Sequence, residues 1–146
     1  MSVAQEMQGH YLEDLEVGMS AVFGKTITEA DIQSFAGVSG DTNPLHLHED
    51  FARTTMFKGR IAHGMLSASF ISTVVGTKLP GPGAVYVSQT LNFKAPVKVG
   101  DCVTARATIR EIVAEKRRVK FDTVCTVGDK VVLDGEATIL VFNRPK

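Results

Sequence analysis

The sequence is poor in several residue types, and each shortage excludes a class of protein. It contains no tryptophan and two cysteines among 146 residues. Sixteen Lys and Arg balance sixteen Asp and Glu, so neither a basic face for nucleic acid nor an acidic tail is expected. Cys102 and Cys125 show no CxxC spacing and have no histidine nearby in the sequence. We therefore predict that they are small buried residues rather than disulfide partners or metal ligands.

Long apolar runs are also missing. No stretch approaches the roughly eighteen residues that a helix needs to span a bilayer, and the N-terminal segment lacks the basic region and apolar core of a secretory signal. A cytoplasmic protein with no membrane partner is therefore expected. The chain has the length of one domain, and its only stretch dense in Pro and Gly, residues 79–83, is short enough for one loop. We predict a single domain over residues 1–146.

Strand patterns dominate residues 84–142. Two segments alternate apolar and polar residues with the period of a strand that buries one face, and Gly128-Asp129 is a two-residue hairpin signal. The predicted inward positions are Val103, Ala105, Ala107, Ile109, Val119, Phe121, Thr123 and Cys125. We predict four antiparallel strands in a meander here, and one further strand near the N-terminus within VGMSAVFGKTIT.

One helix is predicted to lie inside this sheet. Residues 63–79, HGMLSASFISTVVGTKL, are apolar nearly all round, so a helix there must be enclosed by other elements. The expected architecture is α+β, a hot-dog fold in which a single curved antiparallel sheet wraps around one central helix. Such a sheet has exposed edges, which favour pairing with a second copy of the chain, so we expect a homodimer.

Residues 39–50, SGDTNPLHLHED, combine turn residues with acid/base side chains. A short helix is expected before them, capped by Thr28 and Asp31 and stopped by Gly37 and Gly40. Next, Asn43 suits an N-cap and Pro44 the first position of a second helical segment, which places His46 in its first turn.

Two readings of these side chains are open. Separately, Asp41 suits a turn-forming residue and His46 a surface histidine. Together, a carboxylate and an imidazole across one Asn-Pro turn can hold a small molecule such as water and move protons near pH 7. Asn43 can orient either group, although capping is its better reading. His48 lies two positions from His46 and points elsewhere on a helical turn.

Gly64, at the start of the predicted central helix, offers an unshielded backbone N–H at the positive end of the helix dipole. Such a group can bind an oxyanion that develops on a carbonyl. The alternative is a packing glycine preceded by a His63 that caps or packs. On this residue alone the packing reading is favoured.

Two motifs resemble the (R)-specific 2-enoyl-CoA hydratases of the MaoC-like hydratase family. They are SGDTNPLHLHEDFA and, about twenty residues later, GRIAHGMLSASFIS, and PGPGAVYVSQTLNFKAPVKVGDCV continues the similarity. The resemblance implies the hot-dog fold and the addition of water to a trans-2-enoyl thioester, which gives the (R)-3-hydroxyacyl product.

The same resemblance implies roles for single residues. Asp41 and His46 are the catalytic dyad that activates water, and Asn43 supports them. Gly64 supplies the amide that polarises the thioester carbonyl. Ser72 is a site-lining residue, with packing as an equally good reading.

This chemistry needs no metal and no cofactor, because coenzyme A enters as part of the acyl-CoA substrate. Lys58, Arg60 and Lys94 are candidates to contact its phosphates, although most surface Lys and Arg are simply solvated. Three alternatives remain open at this point: a 3-hydroxyacyl-[acyl carrier protein] dehydratase, a hot-dog acyl-CoA thioesterase, and a non-catalytic acyl-binding subunit.

Overall fold

The computed structural model describes residues 1–146, which form five α-helices and six strands in one antiparallel sheet. The helices are α1 Val3–Met7, α2 Glu29–Ser39, α3 Pro44–Leu47, α4 Glu49–Arg53 and α5 Gly64–Thr77. The strands are β1 Ser20–Thr26, β2 Val85–Gln89, β3 Asn92–Phe93, β4 Cys102–Val113, β5 Arg118–Val127 and β6 Lys130–Leu140. The predicted hot-dog fold is confirmed: one open sheet curves around the central helix α5.

The strand order corrects one part of the predicted topology. Along the sheet the order is β1-β4-β5-β6-β2, with β3 also paired to β6. Only β4, β5 and β6 form a meander, because β2 pairs with β6 and not with the strand that follows it along the chain. The connection through α5 thus carries the chain from one edge of the sheet, β1, to the opposite edge, β2.

The predicted inward positions of β4 and β5 are confirmed, since every one of them is buried. Val127 pairs with Lys130 across the predicted two-residue turn, where Gly128 takes a positive φ of 59° that favours glycine. The prediction for the two cysteines is half right. Both thiols are free and Cys125 is buried, whereas Cys102 is exposed at the start of β4.

Helix α5 lies across the sheet and packs against β1, β4 and β5. Its inner side buries a row of apolar residues: Leu66, Phe70, Ile71, Val74 and Val75. Its enclosure is less complete than the sequence predicts, because Met65, Ser69, Ser72 and Gly76 form an exposed stripe along the other side. No helix of the chain has both the length and the apolarity that a bilayer crossing demands.

The local signals between β1 and α5 are mostly confirmed. Thr28 and Asp31 form a reciprocal capping box at the start of α2. This helix ends at Gly40, whose φ of 79° is left-handed, while Gly37 lies inside the helix and does not stop it. The next helical segment is broken at His48, which ends α3 and caps α4 through a hydrogen bond from Phe51 N–H to its Nδ1.

Candidate active site

Asp41 lies in an irregular loop, residues 40–43, between α2 and α3. Its backbone N–H donates to Ser39 Oγ at 3.1 Å, and its carboxylate accepts from Asn43 N–H at 3.2 Å. The side chain of Asn43 caps α3, as predicted, by accepting from Leu45 N–H at 3.0 Å. Asn43 therefore supports Asp41 through its backbone while its amide group shapes the helix.

His46 is buried in the first turn of α3, as predicted. Its Nδ1 lies 2.8 Å from the carbonyl oxygen of Ile61. Because a carbonyl oxygen can only accept, Nδ1 carries the proton, and Nε2 is the ring nitrogen left for chemistry. The fold thus selects the tautomer of His46.

The structure brings Asp41 and His46 together, with His63 as a third member. A carboxylate oxygen of Asp41 and one ring nitrogen from each histidine all lie within 4.8 Å of one another. That spacing leaves room for one water between a carboxylate and an imidazole, each at hydrogen-bond distance.

A metal ion would fit this cluster poorly. The rings of His46 and His63 are stacked, with centroids 3.9 Å apart and planes 29° from parallel. Their in-plane lone pairs therefore lie in two nearly parallel planes, an arrangement unfavourable for two ligands of one tetrahedral metal ion. The arrangement suits proton transfer better than chelation.

His63 is the residue that the sequence reasoning missed, since its position before Gly64 indicated only capping or packing. It is 2% exposed, and its ring packs against the rings of His46 and Phe35. Its Nε2 lies 2.9 Å from the backbone carbonyl oxygen of Asp41. It occupies the N-cap position of α5, yet its side chain makes no capping hydrogen bond.

Arg60 is engaged within the chain and is not free to meet a coenzyme A phosphate. Its Nε donates to the carbonyl oxygen of His46 at 2.6 Å, and its guanidinium pairs with Glu29 at 2.7 Å. The hydrogen bond from Arg60 holds the pKa of the Glu29 carboxyl below its ordinary value. Arg60 therefore ties α3 to the start of α2, which leaves Lys58 and Lys94 as the phosphate candidates.

Gly64 is the first residue of α5, as predicted. Neither its N–H nor that of Met65 donates a hydrogen bond within the chain, so two donors remain at the positive end of the helix. The ring of Phe93 packs on this glycine: a Cβ added at Gly64 would lie 2.7 Å from Phe93 Cε1. A side chain at this position therefore requires the ring of Phe93 to move.

A mostly apolar cavity of about 530 Å³ has Gly64 in its lining. Its polar members are Lys94 and Ser67, whose buried hydroxyl has no hydrogen-bond partner. Asp41 and His46 do not line the cavity, but their neighbours Ile61 and Gly64 do. The apolar members are Met56, Phe57, Ile61, Ala62, Met65, Phe93, Ala95, Pro96, Val97, Val132 and Leu133.

Ser72 is not brought to this site. It lies two turns along α5 from Gly64, in the exposed stripe, and does not line the cavity. Its role as a site-lining residue stays a prediction, as do the catalytic roles of Asp41, His46 and Gly64.

Fold and site together define a class: a hot-dog protein with an acid/base cluster beside the N-terminus of its central helix. Within that class, residues 15–134 match the MaoC-like domain. The chain belongs to the MaoC-like family.

Individual relatives share most of their length with this chain. An (R)-specific enoyl-CoA hydratase of Rhodospirillum rubrum is 60% identical over 97% of this chain and 98% of that protein. A 3-hydroxybutyryl-CoA dehydratase of Methylorubrum extorquens is 52% identical over 93% of this chain and 87% of that protein. The unliganded structure of R-hydratase PhaJ1 from Pseudomonas aeruginosa superposes with a TM-score of 0.87, covering 94% of this chain and 89% of that chain at 45% identity.

Proposed function

We propose that this protein is a hydro-lyase that adds water to trans-2-enoyl-CoA, reversibly, to give (R)-3-hydroxyacyl-CoA. The observation that carries the proposal is the Asp41–His46 pair, in which a carboxylate oxygen and a ring nitrogen lie within 4.8 Å of each other next to α5. The names and high identities of the two curated relatives support the same chemistry.

The proposed reaction uses the dyad as base and acid. Water between Asp41 and His46 loses a proton to the dyad as its oxygen bonds to C3 of the enoyl group. The dyad returns a proton to C2, so one water is added and no electrons leave the substrate. The tautomer set by Ile61 directs His46 Nε2 to this exchange.

The enolate charge that develops on the thioester oxygen needs a donor. The free N–H of Gly64 meets this need, because a preorganised backbone donor at a helix N-terminus stabilises negative charge without reorganising. The apolar cavity beside Gly64 offers a surface for the organic part of the substrate, with Lys94 available to an anionic group.

The test is a hydration assay on crotonyl-CoA and octenoyl-CoA with chiral analysis of the product. We expect loss of enoyl absorbance, an (R)-3-hydroxyacyl product and no release of free thiol. An (S) product would overturn the assignment, and thiol release would indicate a thioesterase. Faster turnover of the matching acyl carrier protein thioester would favour the dehydratase alternative.

We also propose that the protein acts as a homodimer. Strand β2 is an edge strand whose outer side is unpaired, and its residues Val85, Tyr86 and Val87 are exposed. The exposed stripe of α5 offers a second surface without a cover. Unpaired edges and exposed apolar residues favour association with a second copy. Sedimentation velocity at micromolar concentration should give a dimer, and a clean monomer would contradict the proposal.

A further inference from the structure

We propose that His63 is a positioning residue that holds the Asp41 loop at the distance from His46 that the reaction needs. The inference rests on the dyad of the proposed function. It concerns a residue that touches each part of the site: the backbone of Asp41, the ring of His46 and the start of α5.

The first argument is that one hydrogen bond, from His63, holds the Asp41 loop to a residue distant in the sequence. We call this bond the tether. All other hydrogen bonds of residues 40–43 reach partners no more than four positions away. Only the bond from His63 Nε2 to the Asp41 carbonyl oxygen, 22 positions apart, connects this loop to a residue distant in the sequence. Local hydrogen bonds join Asn43 to α3, but the loop is exposed and irregular, so the His63 bond is the one that restrains Asp41 from outside this turn.

The second argument concerns the ring of His63. A carbonyl oxygen can only accept, so Nε2 of His63 carries the proton and donates it to Asp41. Its Nδ1 is buried with no partner, which destabilises the folded state. A buried imidazole with one unsatisfied nitrogen is a poor choice for packing alone, because phenylalanine would fill a similar space without that cost.

The third argument is the contact with His46. The two rings stack with centroids 3.9 Å apart, so His63 covers one face of the imidazole that Ile61 holds by its edge. His63 thereby restrains both members of the dyad, one by a hydrogen bond and the other by packing. Small misplacements in such a site cost about a hundredfold in rate.

The experiment compares three variants by kcat, KM and thermal melting on crotonyl-CoA. His63→Phe keeps the stacked ring but donates no hydrogen bond. His63→Gln places an amide N–H donor the same number of bonds from the backbone as Nε2 of His63. His63→Asn places the same donor one carbon closer to the backbone, so it should not reach the Asp41 carbonyl oxygen.

The expected results separate positioning from stability. His63→Phe should melt within about 4 °C of the wild type, because it also removes the unsatisfied nitrogen, yet its kcat should fall about ten- to a hundredfold with KM nearly unchanged. His63→Gln should recover most of that loss, and His63→Asn should not. Should His63→Phe fail to fold, the contrast between Gln and Asn carries the test.

The chain offers a matched control in His10, whose Nδ1 lies 3.1 Å from the carbonyl oxygen of Pro80, beyond the far end of α5. His10→Phe removes the same kind of hydrogen bond outside the site and should leave kcat unchanged. A double variant, His63→Phe with Asp41→Asn, should be no slower than Asp41→Asn alone, because His63→Phe keeps the ring on His46 and removes only the bond to Asp41.

The outcomes distinguish this inference from the proposed dyad. If Asp41→Asn is inactive while His63→Phe turns over at the wild-type rate, the tether is wrong and the dyad stands. If Asp41→Asn itself retains full activity, the proposed dyad and the positioning role of His63 are both wrong. If Gln and Asn at position 63 are equally impaired while Phe is active, stacking matters and the tether does not.

Discussion

Two regions of the molecule are held together by different forces. The meander of β4, β5 and β6 is held by a backbone ladder and by side chains that exclude water, such as Val103 and Phe121, both 0% exposed. The site segment, residues 40–64, is mostly irregular or in helices of one turn. Three side chains make hydrogen bonds to its main-chain carbonyls from 14 or more positions away: His46, Arg60 and His63.

The difference separates stability from chemistry. Apolar burial is non-directional and summed over many contacts, so it stabilises the sheet without defining any reactive geometry. Hydrogen bonds to carbonyls are directional and few, so they orient the rings and the loop while adding little net stability. Substitutions of Asp41, His46 and His63 in the site segment should therefore reduce turnover without unfolding the protein, and substitutions of buried apolar residues in the meander should do the reverse.

The largest expected effect is on the dyad. Asp41→Asn and His46→Gln should each lower kcat by about a hundredfold to ten-thousandfold, because general acid/base groups contribute that much. Circular dichroism and thermal melting should stay near wild type. Since the two groups act as a unit, the double variant should lose much less than the product of the single losses.

His48 is the matched control for the dyad. Its Nδ1 accepts from Phe51 N–H as the cap of α4, and His48→Asn preserves an acceptor for that bond. This variant should keep wild-type turnover. A loss as large as that of His46→Gln would mean that the whole turn, and not the dyad, is sensitive to substitution.

The meander should show the opposite response. Phe121→Ala removes a fully buried ring from β5 and should lower the free energy of unfolding by about 3–5 kcal/mol. Urea unfolding gives the stability, and kcat per folded molecule should remain unchanged. Lys120→Ala, its neighbour on the same strand, should change the free energy of unfolding by less than about 0.5 kcal/mol. Lost turnover in folded Phe121→Ala would break the separation of the two regions.

Gly64 is the last residue of the site segment and the first residue of α5. Proline is tolerated at the first helical position, and the φ of −60° and ψ of 130° at His63 suit a residue before proline. Gly64→Pro removes the backbone N–H and should therefore lower kcat about a hundredfold to a thousandfold, roughly 3–4 kcal/mol of transition-state stabilisation. The melting temperature should change little.

Because the ring of Phe93 packs on Gly64, the Gly64 variants need a background in which this ring is absent. Any Cβ at Gly64 meets that ring, so Gly64→Pro and Gly64→Ala should both be made in a Phe93→Ala background. Alanine keeps the N–H and should retain the turnover of Phe93→Ala alone. Equal turnover of the Pro and Ala variants would identify Gly64 as a packing glycine.

The smallest effect concerns the two thiols of the meander, one exposed and one buried. Burial raises the pKa of the Cys125 thiol to about 12, so this group stays protonated and unreactive as pH rises to about 9. Cys102 is exposed. A thiol reagent such as DTNB should therefore label about one cysteine in the native protein and both after denaturation, and labelling of Cys102 in the native protein should leave activity unchanged. Rapid native labelling of both would indicate that the sheet opens.

Local features were predictable from the sequence. The period-two pattern identified the buried faces of β4 and β5, and the Thr28, Asn43 and Pro44 signals located the starts of α2 and α3 correctly. The proximity of Asp41 to His46 also follows from a short turn. Each of these depends on residues a few positions apart, whose geometry is set by backbone periodicity and capping.

Only the tertiary structure decided which distant groups meet. The pairing of β2 with β6, the open stripe on α5, the ring of Phe93 against Gly64 and the hydrogen bond from His63 to Asp41 all depend on the path of α5 across the sheet. A period or a cap carries no information about a partner 22 positions away. The chain length between such residues permits many arrangements, and burial of the whole core selects one.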